Sequence, residues 1–278
     1  MKIIPSEIAT GKLHAYMLGA IAPRPIAFAS TIDNDGNSNL APYSFFNAFG
    51  SNPTTLIFSP ARRVRNNTIK HTLENVIANK EVVINVVNYN MVQQMSLASC
   101  EYPKGISEFT KAGFTPIASD VVKPFRVAES PVQFECKVRE VIATGTEGGA
   151  GNLIVCEILV MHINDNVLDE AQRIDANKID LVARMGGDLY CRASGKALFE
   201  VAKPNEKLGI GIDGLPLEIR NSSILSGNDL GMLANVEQIP MVEKTNTYAN
   251  TSIEQKHTLA KQFLAEKNTA DAWRILLS

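Results

Sequence analysis

Short apolar runs separated by turn residues fill about the first two thirds of the chain, and their length and content are typical of β-strands. The runs predict six strands, at Arg24–Ile32, Leu40–Phe49, Thr54–Ser59, Glu81–Val87, Val132–Thr144 and Leu153–Ile163. Apolar residues at helical spacing between them predict four helices, at Thr10–Leu18, Thr68–Asn79, Asn90–Cys100 and Ser107–Ala112.

The turn-forming residues between these strands predict antiparallel hairpins. Asp33–Asn37 and Gly145–Asn152 supply the Asp, Asn and Gly residues that tolerate tight turns. A doubly wound parallel sheet would alternate strand and helix regularly, and this chain does not. The pattern therefore predicts a mainly β fold with inserted helices, a barrel or a sandwich.

The residue composition changes near Lys203, beyond which glycine, asparagine and serine are frequent. Ser252 and Gln255 form a capping box for a helix near the end, and Thr269 is predicted to cap a last short helix. We interpret residues 1–203 as one domain. Residues 204–278 are interpreted as a C-terminal extension with terminal helices, not an independent domain, which packs on the first domain or on a partner subunit.

The composition is that of a globular protein, with 45% hydrophobic residues, 20% charged residues and a mean hydropathy of -0.02. A net charge of -2 gives no general attraction to nucleic acid or anionic membranes, and no apolar run is long enough for a membrane helix. The four cysteines have no zinc-site spacing, and the four histidines are dispersed. We therefore expect a cytoplasmic protein with reduced thiols, no metal site, no nucleic-acid partner and no membrane partner.

A basic loop is the strongest candidate for a binding site. Arg62, Arg63 and Arg65 precede Asn66-Asn67-Thr68, which could cap the next helix, and Lys70 and Thr72 follow in its first turn. A helix N-terminus beside arginine and lysine is suited to phosphate. The alternative from the charges alone is a solvated loop.

The segment Asn39–Asn47 mixes polar and aromatic residues on one predicted strand. Such a strand could present polar groups to a planar ligand while its aromatic residues fill the core, or it could be an ordinary amphipathic strand. A second segment, Arg184–Tyr190, holds paired glycines between an arginine and a tyrosine. It could approach a ligand closely, or it could be a tight connection with a packing tyrosine.

Several motifs occur in a specific order: PRPIAFAST from Pro23, NLAPYSFFN from Asn39, the Ser59-Pro60 arginine loop, and KHTLENV from Lys70. SPVQFECKV, NLIVCEILVMHI, VLDEAQRID and LVARMGGDLYCR follow. The ordered set resembles the flavin reductase-like family, which includes flavoredoxins and the reductase component of nitrilotriacetate oxidation. The resemblance covers about residues 10–200 and implies an antiparallel FMN-binding split β-barrel of Greek-key type.

The resemblance also implies roles for particular residues. Ser30 and Thr31 would lie along the flavin and tune its potential. The flavin ring would be lined by Asn39, Ala41, Ser44, Phe45 and Phe46, and the phosphate would be held by Ser59, Arg62, Lys70 and Thr72. Candidates on the substrate side are Arg184, Gly186, Gly187 and Tyr190. His71 departs from the aspartate that many relatives have here, and we interpret it as a solvent-facing residue.

The activity implied is an NAD(P)H-dependent flavin oxidoreductase that transfers hydride to FMN N5 and passes electrons to an oxygenase or another acceptor. No residue is predicted to act as a catalytic acid or base, because the cofactor carries the chemistry. A homodimer is implied as well. The alternatives are a flavoredoxin-like electron carrier without NAD(P)H turnover and a non-catalytic flavin-binding module.

Overall fold

The computed structural model describes residues 1–204, 208–242, 248 and 250–278. The chain divides into two compact units, Met1–Phe199 and Glu200–Ser278. The interpretation of residues 204–278 as an extension that cannot fold alone stays a prediction.

The first unit is built on eleven strands. In chain order these are β1 (Ala27–Ile32), β2 (Ser38–Tyr43), β3 (Phe46–Ser51), β4 (Thr54–Phe58), β5 (Glu81–Val86), β6 (Pro116–Ile117), β7 (Arg126–Val127), β8 (Val132–Ala143), β9 (Asn152–Ile163), β10 (Leu181–Gly186) and β11 (Leu189–Ala193).

Seven of these strands form one antiparallel sheet with the order β2-β1-β5-β8-β9-β4-β3. Its two end strands, β2 and β3, are consecutive in the chain, so the sheet is open where the chain passes through Ser44 and Phe45. The mainly β fold with inserted helices is confirmed.

One predicted strand differs from the sequence interpretation. The run Leu40–Phe49 is two strands, because the chain leaves β2 after Tyr43 and pairs Phe46 with Phe58 of β4. An apolar run carries no signal for a change of partner within it, so the pattern alone could not separate the two strands. The segment Arg184–Tyr190 belongs to the hairpin β10–β11, with Gly186 and Gly187 at positive φ at its turn.

The helices of the first unit are α1 (Thr10–Ala20), α2 (His71–Asn79), α3 (Val92–Leu97), α4 (Glu108–Ala112) and α5 (Ala176–Ile179). Short 3₁₀ turns occur at Pro5–Glu7, Tyr89–Met91, Asp165–Val167 and Gly195–Ala197. The prediction that Asn66-Asn67-Thr68 caps α2 is wrong: Lys70 is the N-cap, and no side chain caps it. The Asn66 and Asn67 side chains instead bond within the loop.

Two hydrophobic clusters cover the two faces of β1. Ala27 and Ala29 pack with Val76 of α2, whereas Phe28 packs with Met95 of α3 and with α4 residues. Since alternate side chains of a strand point to opposite faces, these contacts bury both faces of β1, which pairs with β2 on one side and β5 on the other. This burial fixes β2 and α2, which frame the cavity described below.

The second unit holds α6 (Leu217–Arg220), α7 (Gly227–Ala234), α8 (Ile253–Ala265) and α9 (Thr269–Leu276), with a 3₁₀ turn at Ile212–Gly214. The capping box of Ser252 and Gln255 begins α8 as predicted. The predicted Thr269 cap is wrong, because Asn268 accepts from the Asp271 N–H and Thr269 is the first helical residue. Trp273 and Leu264 lie in this unit's own core. None of the helices in the described part of the chain is both long and apolar enough to cross a membrane.

Candidate functional site

A cavity of about 470 Å³ lies in the first unit beside the end of β2 and the start of α2. Its size falls in the range of small-molecule and cofactor sites. The structure brings together here the following residues that the sequence analysis had named: Asn39, Ala41, Ser44, Phe45, Ser59, Lys70, Thr72 and Arg184. Residues separated by up to 145 positions thus share one pocket.

Hydroxyl and cationic groups gather at one end of the cavity, which we call the cradle: Ser59, Arg63, Lys70 and Thr72. The Lys70 N-cap and Thr72 place the N-terminal end of α2 against the cavity. The positive end of the helix dipole therefore adds to the lysine and arginine charges. Ser59 follows β4, and its Oγ accepts the N–H of Asn152 at 3.0 Å, which fixes the hydroxyl.

Burial lowers the pKa of Lys70, and the nearby Arg63 charge lowers it further. Both causes disfavour the charged form of the lysine. One carboxylate opposes this charge. Glu101 pairs with Arg63 at 2.9 Å and with Arg65, and it lies 3.9 Å from Lys70 Nζ.

A chain of buried hydrogen bonds holds Thr72 in place. Thr72 Oγ1 accepts from Tyr43 Oη at 2.9 Å and from Asn39 Nδ2 at 2.8 Å. Thr31 Oγ1 accepts from Asn75 Nδ2 at 3.0 Å, and it lies 3.5 Å from Asn39 Nδ2. The network ties β1, β2 and α2 together directly behind the cradle.

Ser30 and Thr31 have fully buried side chains and lie outside the cavity lining. The reason is that both faces of β1 are covered by the two hydrophobic clusters. Thr31 acts on the site through Asn39, and Ser30 Oγ has no hydrogen-bond partner among the described residues. Their predicted role in tuning a flavin stays a prediction, and the geometry offers Asn39 and Thr72 for direct contact instead.

Arg62 and Phe46 also lie outside the cavity lining. Arg62 Nε and Nη2 donate to the side chain and the carbonyl of Asn67 at 2.6 and 2.7 Å, so this guanidinium closes the loop. Its neighbour Arg63 takes the place at the cavity that the sequence analysis gave to Arg62. Phe46 packs against the core beside Phe58, and Phe45 is the aromatic residue at the cavity.

Of the substrate-side candidates, Arg184 lines the main cavity and Tyr190 does not. The Arg184 guanidinium lies 4.6 Å from the ring centroid of Tyr190. Tyr190 lines two smaller adjoining cavities of about 300 and 370 Å³. Gly187 contributes its carbonyl to Arg184 Nη2 at 2.7 Å. A Cβ on Gly186 would lie 3.4 Å from the Leu18 carbonyl oxygen, so this glycine permits a close approach of β10 to α1.

Several lining residues were not found by sequence reasoning: His14, Arg24, Glu101 and Glu108. His71 also lines the cavity and is half-buried, and its interpretation as a solvent-facing residue stays a prediction. Arg63 lines the cavity as well; the sequence analysis named it in the basic loop but gave the phosphate contact to Arg62. Glu101 carried no signal, since it lies in a loop 31 positions beyond Lys70.

A separate group on β8 and β9 brings His162 together with Glu135 and Asp120. His162 Nε2 lies 2.7 Å from Glu135 Oε1, and the two Glu135 oxygens accept the N–H groups of Asp120 and Val121. The Arg126 guanidinium lies 3.7 Å from both carboxylates. These bonds satisfy Glu135 within the protein, so the group is a structural network.

Comparison with known proteins agrees with this geometry. Residues 18–180 match the flavin reductase like domain, and the match lies entirely within the first unit. An uncharacterized protein of Aquifex aeolicus is 35% identical over 201 residues, 72% of this chain and 100% of that protein.

Three solved structures share the fold. Nitrilotriacetate monooxygenase component B from Bacillus cereus is 27% identical, with a TM-score of 0.67 over 72% of this chain and 98% of that one. The 2-nitrobenzoate 2-nitroreductase from Pseudomonas fluorescens is 26% identical, with a TM-score of 0.64 over 73% and 96%. A protein described as a flavin reductase with a split barrel domain, from Shewanella frigidimarina, is 25% identical, with a TM-score of 0.60 over 73% and 100%. With its open antiparallel sheet and a family match over more than half its length, this chain belongs to the flavin reductase-like family and has the split-barrel fold.

Proposed function

We propose that this chain is an FMN-dependent oxidoreductase that takes electrons from NADH or NADPH. The observation that carries the proposal is the division of the cavity into a cationic, hydroxyl-rich cradle and a mixed polar and aromatic wall from β2. A phosphate fits the first part and a planar ring fits the second. The cavity volume of about 470 Å³ is suited to a cofactor of this size.

The residues of the cradle would hold the phosphate. Arginine offers planar paired donors, lysine offers a compact charge, and the Ser59 and Thr72 hydroxyls add shorter-range hydrogen bonds. Asn39, Ala41, Ser44 and Phe45 would lie against the ring. When bound, FMN supplies the redox chemistry by accepting hydride at N5. The protein contributes binding and orientation, which together hold the nicotinamide donor and the cofactor in a reactive geometry.

We also propose a homodimer. The outward face of β9 carries Leu159, Met161 and Ile163, which are 44%, 45% and 37% exposed. Phe49 on the edge strand β3 is 64% exposed. Contiguous apolar patches of this kind often mark an interface between proteins. Neighbouring exposed side chains of one strand can be covered together by a second copy of the chain.

The electron acceptor would be an oxygenase or a small molecule. The names of two relatives, a monooxygenase component and a nitroreductase, support both classes of acceptor. All four cysteines are free, which supports a reducing compartment such as the cytoplasm.

The visible spectrum of the purified protein tests the proposal, with NADH and NADPH then added separately without oxygen. A flavin spectrum that bleaches with either nucleotide is the expected result and identifies the donor. A flavin that bleaches only with dithionite would replace the proposal with an electron carrier. No flavin spectrum after addition of FMN would contradict the cavity assignment.

A further inference from the structure

Arg24 and Arg184 both line the cavity, and Arg24 contacts Ser44 there. Their main chains exchange two hydrogen bonds, from each N–H to the other's carbonyl, both at 2.9 Å. This antiparallel bridge directs the two side chains to the same side and keeps their Cβ atoms near each other. The fold therefore sets two guanidinium groups next to one another.

Arg24 is held rigidly. Its Nη1 donates to the carbonyls of Leu18 and Ile21 at the C-terminal end of α1, and its Nε lies 3.4 Å from Ser44 Oγ. The side chain is almost completely buried, at 4% exposure for the residue, and its Nη2 has no hydrogen-bond partner among the described residues. A buried donor without a partner costs free energy, so this nitrogen lacks an acceptor.

The positive charges of Arg24 and Arg184 also lack a paired carboxylate among the described residues. Within residues 1–204, 208–242, 248 and 250–278, no carboxylate forms an ion pair with Arg24 or Arg184. Burial is the main cause that lowers the pKa of Arg24, and the neighbouring Arg184 charge lowers it further. The cradle differs in this respect, since Glu101 already opposes its charge.

Arg184 also lines a second, smaller cavity next to the main one. This adjoining cavity has a volume of about 300 Å³, and its walls include Ile26, Pro42 and Met95. The same small cavity has the Tyr190 ring and the hydroxyls of Ser96 and Ser99. Its walls combine apolar side chains with hydroxyl groups, and they suit a planar body with one charged end at the arginines.

We propose that Arg24 and Arg184 form an oxyanion site that binds the carboxylate of a small, planar substrate whose body occupies the adjoining cavity. The assignment rests on the proposed function, because a substrate here lies beside the site given to FMN. Paired guanidiniums can offer a carboxylate several parallel N–H donors, which a single lysine cannot. The side chains of Ile26, Pro42 and Met95 offer the body of this ligand apolar contacts that free phosphate cannot use, and phosphate belongs in the cradle.

Calorimetric titration with benzoate tests the site, with benzamide as the neutral probe of the same shape and inorganic phosphate as the competing oxyanion. The proteins are wild type, Arg24→Gln, Arg184→Gln and Lys70→Ala, each with and without FMN. Arg173→Gln, an exposed arginine paired with Asp169, is the matched control.

The expected result is that benzoate binds more tightly than benzamide and that Arg184→Gln and Arg24→Gln each weaken benzoate about 10- to 100-fold. Arg173→Gln should leave benzoate affinity unchanged, and Lys70→Ala should weaken phosphate binding in the cradle. Arg184→Gln keeps the bonds of Arg24 to α1, so it tests the site even if Arg24→Gln fails to fold.

Equal affinity for benzoate and benzamide would overturn the assignment, as would benzoate binding that Arg184→Gln leaves intact. Phosphate binding that depends on Arg184 and displaces benzoate would overturn the choice of a carboxylate. FMN affinity is measured in the same samples. A protein that binds benzoate through Arg184 but never binds FMN would refute the proposed function and leave the oxyanion site standing.

Discussion

Glu101 Oε1 lies 2.9 Å from Arg63 Nε, so a carboxylate of this chain is bound to the arginine of the cradle. The same carboxyl group also pairs with Arg65 and lies 3.9 Å from Lys70 Nζ. The hydrogen bond from Arg63 is the largest of the effects that lower the Glu101 pKa. Glu101 therefore competes with any anion that enters the cradle.

Glu101→Gln should raise the affinity for inorganic phosphate and for FMN, because it frees Arg63 and Lys70 from a competing charge. An exposed ion pair is worth little, so the expected gain is roughly 2- to 5-fold. Titration followed by calorimetry measures it. Glu140→Gln, an exposed change of the same kind on β8, is the control. Weaker phosphate binding in Glu101→Gln would show that Glu101 organises the cradle instead of competing in it.

Lys70→Ala should weaken FMN and phosphate binding, because it removes a cation at the N-cap of α2 that lines the cavity. The loss of a charge-assisted hydrogen bond predicts about a 10-fold or larger effect. Quenching of flavin fluorescence on binding gives the dissociation constant. Lys137→Ala on the exposed side of β8 should leave it unchanged. Equal affinities in wild type and Lys70→Ala would remove lysine from the phosphate site.

Arg63→Ala should weaken phosphate binding more than Arg62→Ala does. Arg63 lines the cavity, whereas the Arg62 guanidinium is occupied by Asn67. Each arginine also holds its loop, Arg63 through Thr68 Oγ1 and the Ile69 carbonyl, so each substitution also removes loop contacts. Phosphate titration of both variants separates them. A larger loss in Arg62→Ala would restore the role that the sequence gave to Arg62.

Hairpin turns and apolar runs predicted the mainly β fold because both are local patterns. The resemblance carried by the ordered motifs named Asn39, Ser59 and Thr72, and the structure brings these three residues to one cavity. The choice between Arg62 and Arg63 depends on the backbone direction in a loop where Asn67 adopts a positive φ, and charge alone cannot supply it. Glu101 and Arg24 reach the site only through tertiary packing.

Glu108→Gln should change how stability depends on pH. Glu108 is buried, with its Oε2 accepting the Leu40 N–H at 2.9 Å, and burial is the main cause that raises its pKa above the ordinary value. The folded protein therefore holds this proton to a higher pH than the unfolded chain. As pH rises through that window, ionisation favours the unfolded state, which is the reverse of a carboxylate stabilised by a salt bridge.

Wild type should thus lose stability relative to Glu108→Gln as pH rises from the ordinary glutamate pKa towards neutrality, since glutamine can still accept from Leu40. Urea denaturation of both proteins between pH 4 and pH 8 measures the difference in unfolding free energy. A difference that stays constant, or that moves in favour of wild type with rising pH, would contradict the raised pKa.

Thr72→Val should weaken phosphate and FMN binding about 10-fold. Thr72 Oγ1 accepts hydrogen bonds from both Tyr43 and Asn39, so its two acceptor positions are used and its own proton remains to be donated. Thr72 lines the cavity, where a phosphate oxygen is the acceptor that fits this proton.

Valine keeps the branched shape and removes the donor, but it also leaves the Tyr43 and Asn39 donors without their acceptor. Unfolding experiments on the same samples separate that loss of stability from the loss of affinity. Thr258→Val makes the same chemical change on α8 and should affect neither phosphate nor FMN binding. Full affinity in a folded Thr72→Val protein would mean that Thr72 supports Asn39 and Tyr43 without contacting the ligand.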